Sequence, residues 1–253
     1  GLDGLSGMRR DWREDGIHWH RPLWQQTRDE LRDYLRRNSV PWIDDPSNEN
    51  DRFTRVKARR ALKALRPLGI TVGRLSDVIA NLSAAQEVVH QAVAQAGKEL
   101  VTETAGVLCF DSRPFRSCDP ELRRRLLIAM VRWFGGAQHP PRKRKVFNLN
   151  MALDDRKDAT LGGARFRWRG ETCTVSRELQ AVMGPVPAVQ IWDHRWQVTG
   201  PADADTTIAA LGPEGLRLCP DWRNHGPRDA LIVSPGIWRN GQLLAAPLAG
   251  RTD

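Results

Sequence analysis

The chain has 253 residues, 40% hydrophobic and 27% charged, with a net charge of +9 and a mean hydropathy of −0.51. That length suffices for one large or two ordinary domains with a sizeable core, and the composition excludes a disordered polyelectrolyte. No run approaches the roughly 18 apolar residues of a membrane span, and no signal or transit pattern opens the chain, so no membrane contact and a cytoplasmic location are expected.

The four cysteines, Cys109, Cys118, Cys173 and Cys219, form no Cys-x-x-Cys pair, and His18-x-His20 has no third ligand nearby. No metal site is therefore assigned. Charge is uneven along the chain. Residues 1–66 carry 15 Lys+Arg against 11 Asp+Glu, 67–112 carry 2 against 5, 113–170 carry 15 against 5, and 171–253 carry 7 against 9. A surplus of +10 thus sits in one stretch, the pattern of a polyanion-binding surface. Arginine outnumbers lysine 33 to 6, which suits bidentate phosphate contacts, although a biased genome composition produces the same excess.

Residues 1–20 show no periodicity and read as an irregular lead-in. Thr27 with Glu30 three residues on forms a capping box, and Leu31, Tyr34 and Leu35 follow at helical spacing, predicting a helix over 28–38. Val40-Pro41-Trp42-Ile43 reads as extended. A second helix is expected over 49–65, capped by Ser47 or Asn48, with Arg52, Arg55, Arg59 and Lys63 along one face. A solvated surface explains such a stripe as well as a binding role does.

After Pro67, Gly69 and Gly73, the residues Leu75, Val78, Leu82, Ala85, Val89, Ala92 and Ala96 recur at spacings of three and four, predicting a long helix with a narrow seam. The seam fits packing within the chain, and a homodimer is the alternative it leaves open. Val107–Asp111 is a strand candidate. Asp119-Pro120-Glu121 starts a helix whose buried arc is expected to be Leu122, Leu126, Leu127, Met130, Trp133 and Phe134, with Arg124, Arg125 and Arg132 opposite.

A linker with the run Arg142-Lys143-Arg144-Lys145 leads to a helix-like stretch over 146–153. Residues 160–169 and 171–178 read as a basic hairpin turning at Gly170, with Arg165, Arg167 and Arg169 alternating with Phe166 and Trp168. Interleaved arginine and aromatic residues serve phosphate and base contacts, or simply one face of an ordinary sheet. Beyond 184 the chain reads as short strands, including 190–192 and 195–199, between Gly-Pro and Asn-Gly turns.

No Walker loop, Gly-x-Gly-x-x-Gly, Gly-x-Ser-x-Gly or His-Glu-x-x-His occurs. What does stand out is the series Leu2-Asp3-Gly4-Leu5-Ser6-Gly7-Met8, then Arg21-Pro22-Leu23, then Asp44-Asp45-Pro46-Ser47-Asn48-Glu49-Asn50 followed by Phe53 and Arg55. In order and spacing it resembles the tRNA(Ile)-lysidine synthases, which are PP-loop ATP pyrophosphatases. The likeness continues more loosely through 121–134, Pro141-Arg142 and Thr160-Leu161-Gly162-Gly163 and fades after about 180. Where relatives often carry Arg-Asn or Arg-Val-Arg after the Phe, this chain has Thr54-Arg55-Val56-Lys57.

The resemblance implies a ligase. With ATP and Mg²⁺, the C2 oxygen of the wobble cytidine in the CAU anticodon of tRNA(Ile) is adenylated, and free lysine then displaces AMP, converting AUG to AUA decoding. Substrate-binding candidates on this basis are Arg21, Arg52, Arg55 and Arg59 for phosphates, Asp44 or Asp45 for lysine, and Asn48; Asp44 and Asp45 serve equally as caps or ion partners of the following helix. The tRNA-binding candidates are Arg124, Arg125, Arg132, Arg142, Lys143, Arg144, Lys145, Arg165, Arg167 and Arg169.

Because the family's Ser-Gly-Gly-x-Asp-Ser loop is missing from the 253 residues, the resemblance implies a fragment, inactive alone, that begins late in the catalytic domain and contains no ATP site. The expected fold is α+β: a mostly helical N-terminal two-thirds followed by short antiparallel strands, with the Rossmann-like PP-loop domain largely absent. Expected domains are 1–66, the end of the catalytic domain; 67–183, a helical tRNA-binding domain with the basic hairpin; and 184–253, a small β-rich module. The competing reading is a non-catalytic tRNA- or RNA-binding module. A DNA-binding helical protein is a third, for which no helix-turn-helix spacing speaks.

Overall fold

The computed structural model describes residues 2–252 apart from 9, 15, 45–51, 138, 201, 202 and 204. The chain falls into two units, Gly1–His90 and Gln91–Asp253. Among the described residues, no helix is long and apolar enough to cross a membrane.

The first unit opens with a short helix α1 (Leu2–Leu5) and an antiparallel hairpin, β1 (Asp11–Glu14) with β2 (Ile17–His20). The expected irregular lead-in is thus partly ordered. The reason is a cross-strand pair: Trp12 lies opposite Trp19, their rings nearly parallel at 5.8 Å, and Gly16 turns the chain at φ +76°. The same alternation puts Asp11 and His20 opposite each other on the other face, in a hydrogen bond that holds the Asp11 carboxyl below its ordinary value.

Helix α2 (Arg28–Arg37) forms where expected. Thr27 Oγ1 accepts the Glu30 amide at 3.2 Å, and the Glu30 carboxylate accepts the Thr27 amide at 2.7 Å. Helix α3 (Thr54–Leu65) starts later than the expected Glu49: Arg52 and Phe53 sit in a turn ahead of it, and the caps proposed at Ser47 and Asn48 lie outside the described residues. A single 3₁₀ turn at Arg66–Leu68, closed by Gly69 at φ +78°, leads to α4 (Val72–Leu100). The half-buried seam of α4 runs through Leu75, Ile79, Leu82, Gln86, Val89, Ala92 and Val93 to Ala96; the expected Val78 and Ala85 are exposed, and Ile79 and Gln86 beside them take their places.

In the second unit, β3 (Thr102–Thr104) and β4 (Val107–Asp111) are followed by α5 (Ser112–Ser117), α6 (Pro120–Gly135) and α7 (Lys143–Asp154). Then come β5 (Ala159–Leu161), β6 (Ala164–Arg169) and β7 (Thr172–Arg177). The five strands make an antiparallel sheet in the order β3-β4-β7-β6-β5. The expected hairpin is β6–β7, with Phe166 opposite Val175 and Arg165 opposite Ser176. The strand expected at 107–111 is β4, and the one expected over 160–169 is divided at Gly162-Gly163 into β5 and β6. Non-local pairing of β4 with β7, across three helices, is what local patterning misses.

One sheet face, bearing Phe110, Ala164, Phe166, Cys173 and Val175, is covered by α6 and α7. From α6 it receives Leu126, Leu127, Met130, Val131 and Phe134, and from α7 Val146, Leu149 and Leu153. Val131 takes the place expected of Trp133, which is 41% exposed and meets Phe134 edge to face. Burial in this core raises the Cys173 thiol to about 12.

The rest of the chain forms β8 (Val186–Pro187), β9 (Thr206–Ala210), α8 (Gly212–Arg217), α9 (Arg228–Leu231), β10 (Pro235–Arg239) and β11 (Gln242–Ala245). The strands make a second antiparallel sheet in the order β11-β10-β9-β8, over a core of Leu211, Leu216, Leu231, Val233 and Leu243.

The strands expected at 190–192 and 195–199 are not strands. Only Trp192 and Trp196 bridge there, and Asp193 and His194 turn through positive φ. Side chains hold this loop instead. Fully buried Asp193 accepts from Arg177 Nε at 3.0 Å and Nη2 at 3.0 Å, and the Trp192 indole donates to the Met183 and Gly184 carbonyls. Arg195, its guanidinium drawn down to about 10 by burial, lies 4.8–5.3 Å from the rings of Trp133, Phe134 and Trp196. The loop seats on the end of α6, where a Cβ on Gly136 would stand 2.6 Å from the His194 ring.

Candidate nucleic-acid interface

The substrate-binding candidates fall in the first unit. Arg21 follows β2; its guanidinium carbon lies 4.3 Å above the Trp12 ring, and its amide donates to the Arg10 carbonyl at 2.9 Å. Asp44 is exposed and engaged by two guanidiniums that sequence reasoning missed: Arg28 Nη2 donates to Oδ1 at 2.7 Å and Arg32 Nη2 to the same oxygen at 2.6 Å. These bonds, that of Arg32 first, hold the Asp44 carboxyl below its ordinary value. The signal was available, since Arg28 and Arg32 stand four apart on one face of α2. Asp44 thus pairs with the helix before it rather than the one after.

Arg52 precedes α3 and Arg59 is exposed on it. Arg55 lies in the first turn of α3, its side chain outside the described residues, as are Asp45 and Asn48. Among the described residues, no three His, Cys, Asp or Glu gather as a metal-binding group.

The ten tRNA-binding candidates lie in the second unit and do not share one surface. Strand alternation places Arg165, Arg167 and Arg169 on the sheet face opposite the one that α6 and α7 cover. There Arg167 pairs with Asp229 of α9 and with Asp158 at 3.4 Å, and Arg169 reaches Asp229 at 3.9 Å. On α6, Arg124 grips Glu121 through Nε and Nη2, both at 2.6 Å, and Arg125 Nε joins at 2.8 Å; Arg125 is mostly covered. These contacts lower the Glu121 carboxyl. Arg132 Nε donates to the Ala137 carbonyl at 3.3 Å.

The run 142–145 is different. It forms the N-cap and first turn of α7, so the helix begins at Lys143 rather than the expected Val146. All four side chains are exposed and, among the described residues, form no ion pair or side-chain hydrogen bond, a property shared only by half-buried Arg165 of the ten. Cations in a first turn oppose the helix dipole, each costing a few tenths of a kcal/mol. α7 is held in spite of that by its apolar face and by Asp154, which accepts from Arg123 of α6 at 3.0 Å and from Asn150 at 3.2 Å. The first turn of α7 thus keeps an exposed, unpaired set of cations on a firmly seated helix.

Residues 1–65 match the profile described as a PP-loop domain. This corrects two expectations: that the PP-loop domain is largely absent from the chain, and that the ATP site lies wholly outside it. Sequence reasoning took the missing Ser-Gly-Gly-x-Asp-Ser string for loss of the domain, but a domain is spread over many residues of which that string is one part. Along nearly its whole length the chain is similar to named tRNA(Ile)-lysidine synthases. It is 42% identical to that of Ruegeria pomeroyi over 252 residues, covering 99% of this chain and 60% of the relative. It is 26% identical to that of Anaplasma marginale, covering 98% and 59%, and 28% identical to that of Brucella anthropi, covering 96% and 55%. The chain spans 55–60% of the length of these relatives.

Proposed function

We propose that the chain belongs to an enzyme that acts as a tRNA(Ile)-lysidine synthase, a ligase that forms a carbon–nitrogen bond between lysine and C2 of the wobble cytidine of a CAU anticodon. The observation that carries this reading is the 42% identity along 99% of the chain to a relative of that name, together with the PP-loop domain match. The alternative, a non-catalytic RNA-binding module, finds no support in the names of the relatives.

ATP, when bound, supplies the adenylyl group that makes the C2 oxygen a leaving group. The exposed guanidinium of Arg59, and Arg21, Arg52 and Arg55, are of the kind that holds phosphates. The described residues offer no carboxylate cluster for Mg²⁺. For the lysine amines, Asp45 remains the candidate, with Asn48 a further substrate-binding candidate. Asp44 is already paired with Arg28 and Arg32. tRNA is held by the unpaired cations of α7, with free lysine as co-substrate and the cytoplasm as the compartment. A homodimer would form on the seam of α4.

The test is incubation of the full-length protein with a CAU-anticodon tRNA(Ile) transcript, ATP, Mg²⁺ and labelled lysine. Label in the RNA with release of AMP and pyrophosphate is expected. Retention of tRNA without lysine transfer would leave only the binding module.

A further inference from the structure

Helix α7 buries Val146, Leu149 and Leu153 and turns the opposite side to solvent. On that side the 3.6-residue period gathers Arg144, Phe147, Asn148 and Met151, with Lys143 at its edge. Phe147 is 62% exposed and Met151 47%. A lone exposed apolar residue is ordinary. Here two adjacent ones are set among cations that have no acid partner among the described residues.

Resting on the proposed function, we infer that the outward face of α7 receives an unpaired nucleotide of the bound tRNA, its base stacked on Phe147 beside Met151 and its flanking phosphates on Lys143 and Arg144. The chemistry on the face selects this occupant. An apolar protein surface would desolvate the cations without repaying them. A paired RNA helix satisfies the cations through its backbone, but its bases are stacked on one another and offer Phe147 no face. An unpaired nucleotide supplies both an anion and a free π-face within one turn of helix, about 5.4 Å.

The test measures anisotropy of labelled tRNA(Ile) against the full chain over a salt series, with folding of each variant confirmed by thermal melting. Phe147→Ala is expected to weaken binding about 5- to 100-fold at every salt concentration, leaving the salt slope unchanged. Phe147→Trp keeps the affinity, and Phe147→Leu, apolar but without a π-face, does not. Lys143→Ala with Arg144→Ala is expected to flatten the slope of log K against log salt by about 1.4 to 1.8. An unpaired oligonucleotide should compete better than a duplex of equal length.

Wild-type affinity in Phe147→Ala, full affinity in Phe147→Leu, or a change in oligomeric state without a change in RNA binding each overturns the inference, and the proposed function survives if the double cation variant still loses affinity. If neither variant changes binding, α7 is not the RNA surface, and the inference falls together with the placing of tRNA on α7, while the ligase reading is decided separately by the labelled-lysine assay.

Discussion

Among the described residues up to 90, only Ser6 and Val56 are buried, whereas the second unit buries Phe134, Phe166 and Trp192 completely. Of the exposed large apolar side chains described, 16 lie in the first unit and 7 in the second. The first unit is ordered by local devices: the Thr27 capping box, the Trp12–Trp19 pair and the Arg28–Asp44–Arg32 triad. Each is worth up to about 1 kcal/mol. The second is held by side chains brought from distant positions into two cores, each large one contributing about 1.5–3 kcal/mol. Placement precise enough to keep cations unpaired against a helix dipole therefore belongs to the second unit.

The contrast is open to experiment. Phe166→Ala should destabilise the second unit by about 3–5 kcal/mol in urea unfolding; a loss below about 1 kcal/mol would break the comparison. Asp193→Ala leaves the Arg177 guanidinium buried without its carboxylate and is expected to cost about as much. Adding Arg177→Met to it should recover part of the loss.

A smaller effect, about 1–3 kcal/mol, is expected of Gly136→Ala, which must hold φ +60° with a methyl against the His194 ring. In the first unit, Thr27→Ala should cost about 1 kcal/mol, seen as faster hydrogen exchange confined to α2. Smallest is the acid response of Asp44. Because its carboxyl is held below the ordinary 3.8, its pairing is present at neutral pH and fades only as pH falls beneath that value. Asp44→Asn should abolish this acid-side change in α2 exchange and leave the melting of the second unit unmoved.

What was legible beforehand was local. Thr27 with Glu30 and Asp119 with Pro120 mark helix starts because a cap needs only neighbours three residues away, and Arg165 to Arg169 read as a strand because alternation is a nearest-neighbour property. The long helix over 72–100 followed from its seam, though with Val78 and Ala85 expected where Ile79 and Gln86 lie. In the site, the ten cations were legible as residues but not as a surface. Sequence alone could not separate Arg124, taken by Glu121, or Arg167, taken by Asp229, from the free run at 142–145. It also gave no sign that Arg28 and Arg32 would engage Asp44, or that 193–196 would be a side-chain-tied loop.

By itself, then, the amino-acid order determined the charge surplus of 113–170, the helix starts, the basic hairpin and the likeness to a PP-loop enzyme, since each is written in composition or in contacts a few residues apart. Tertiary structure alone decided which arginines remain available to an anion. Whether a guanidinium is spent on a carboxylate depends on acids such as Asp229, 62 residues from Arg167, being carried to within hydrogen-bonding distance. That transport is the work of the non-local sheet pairings and the cores beneath them.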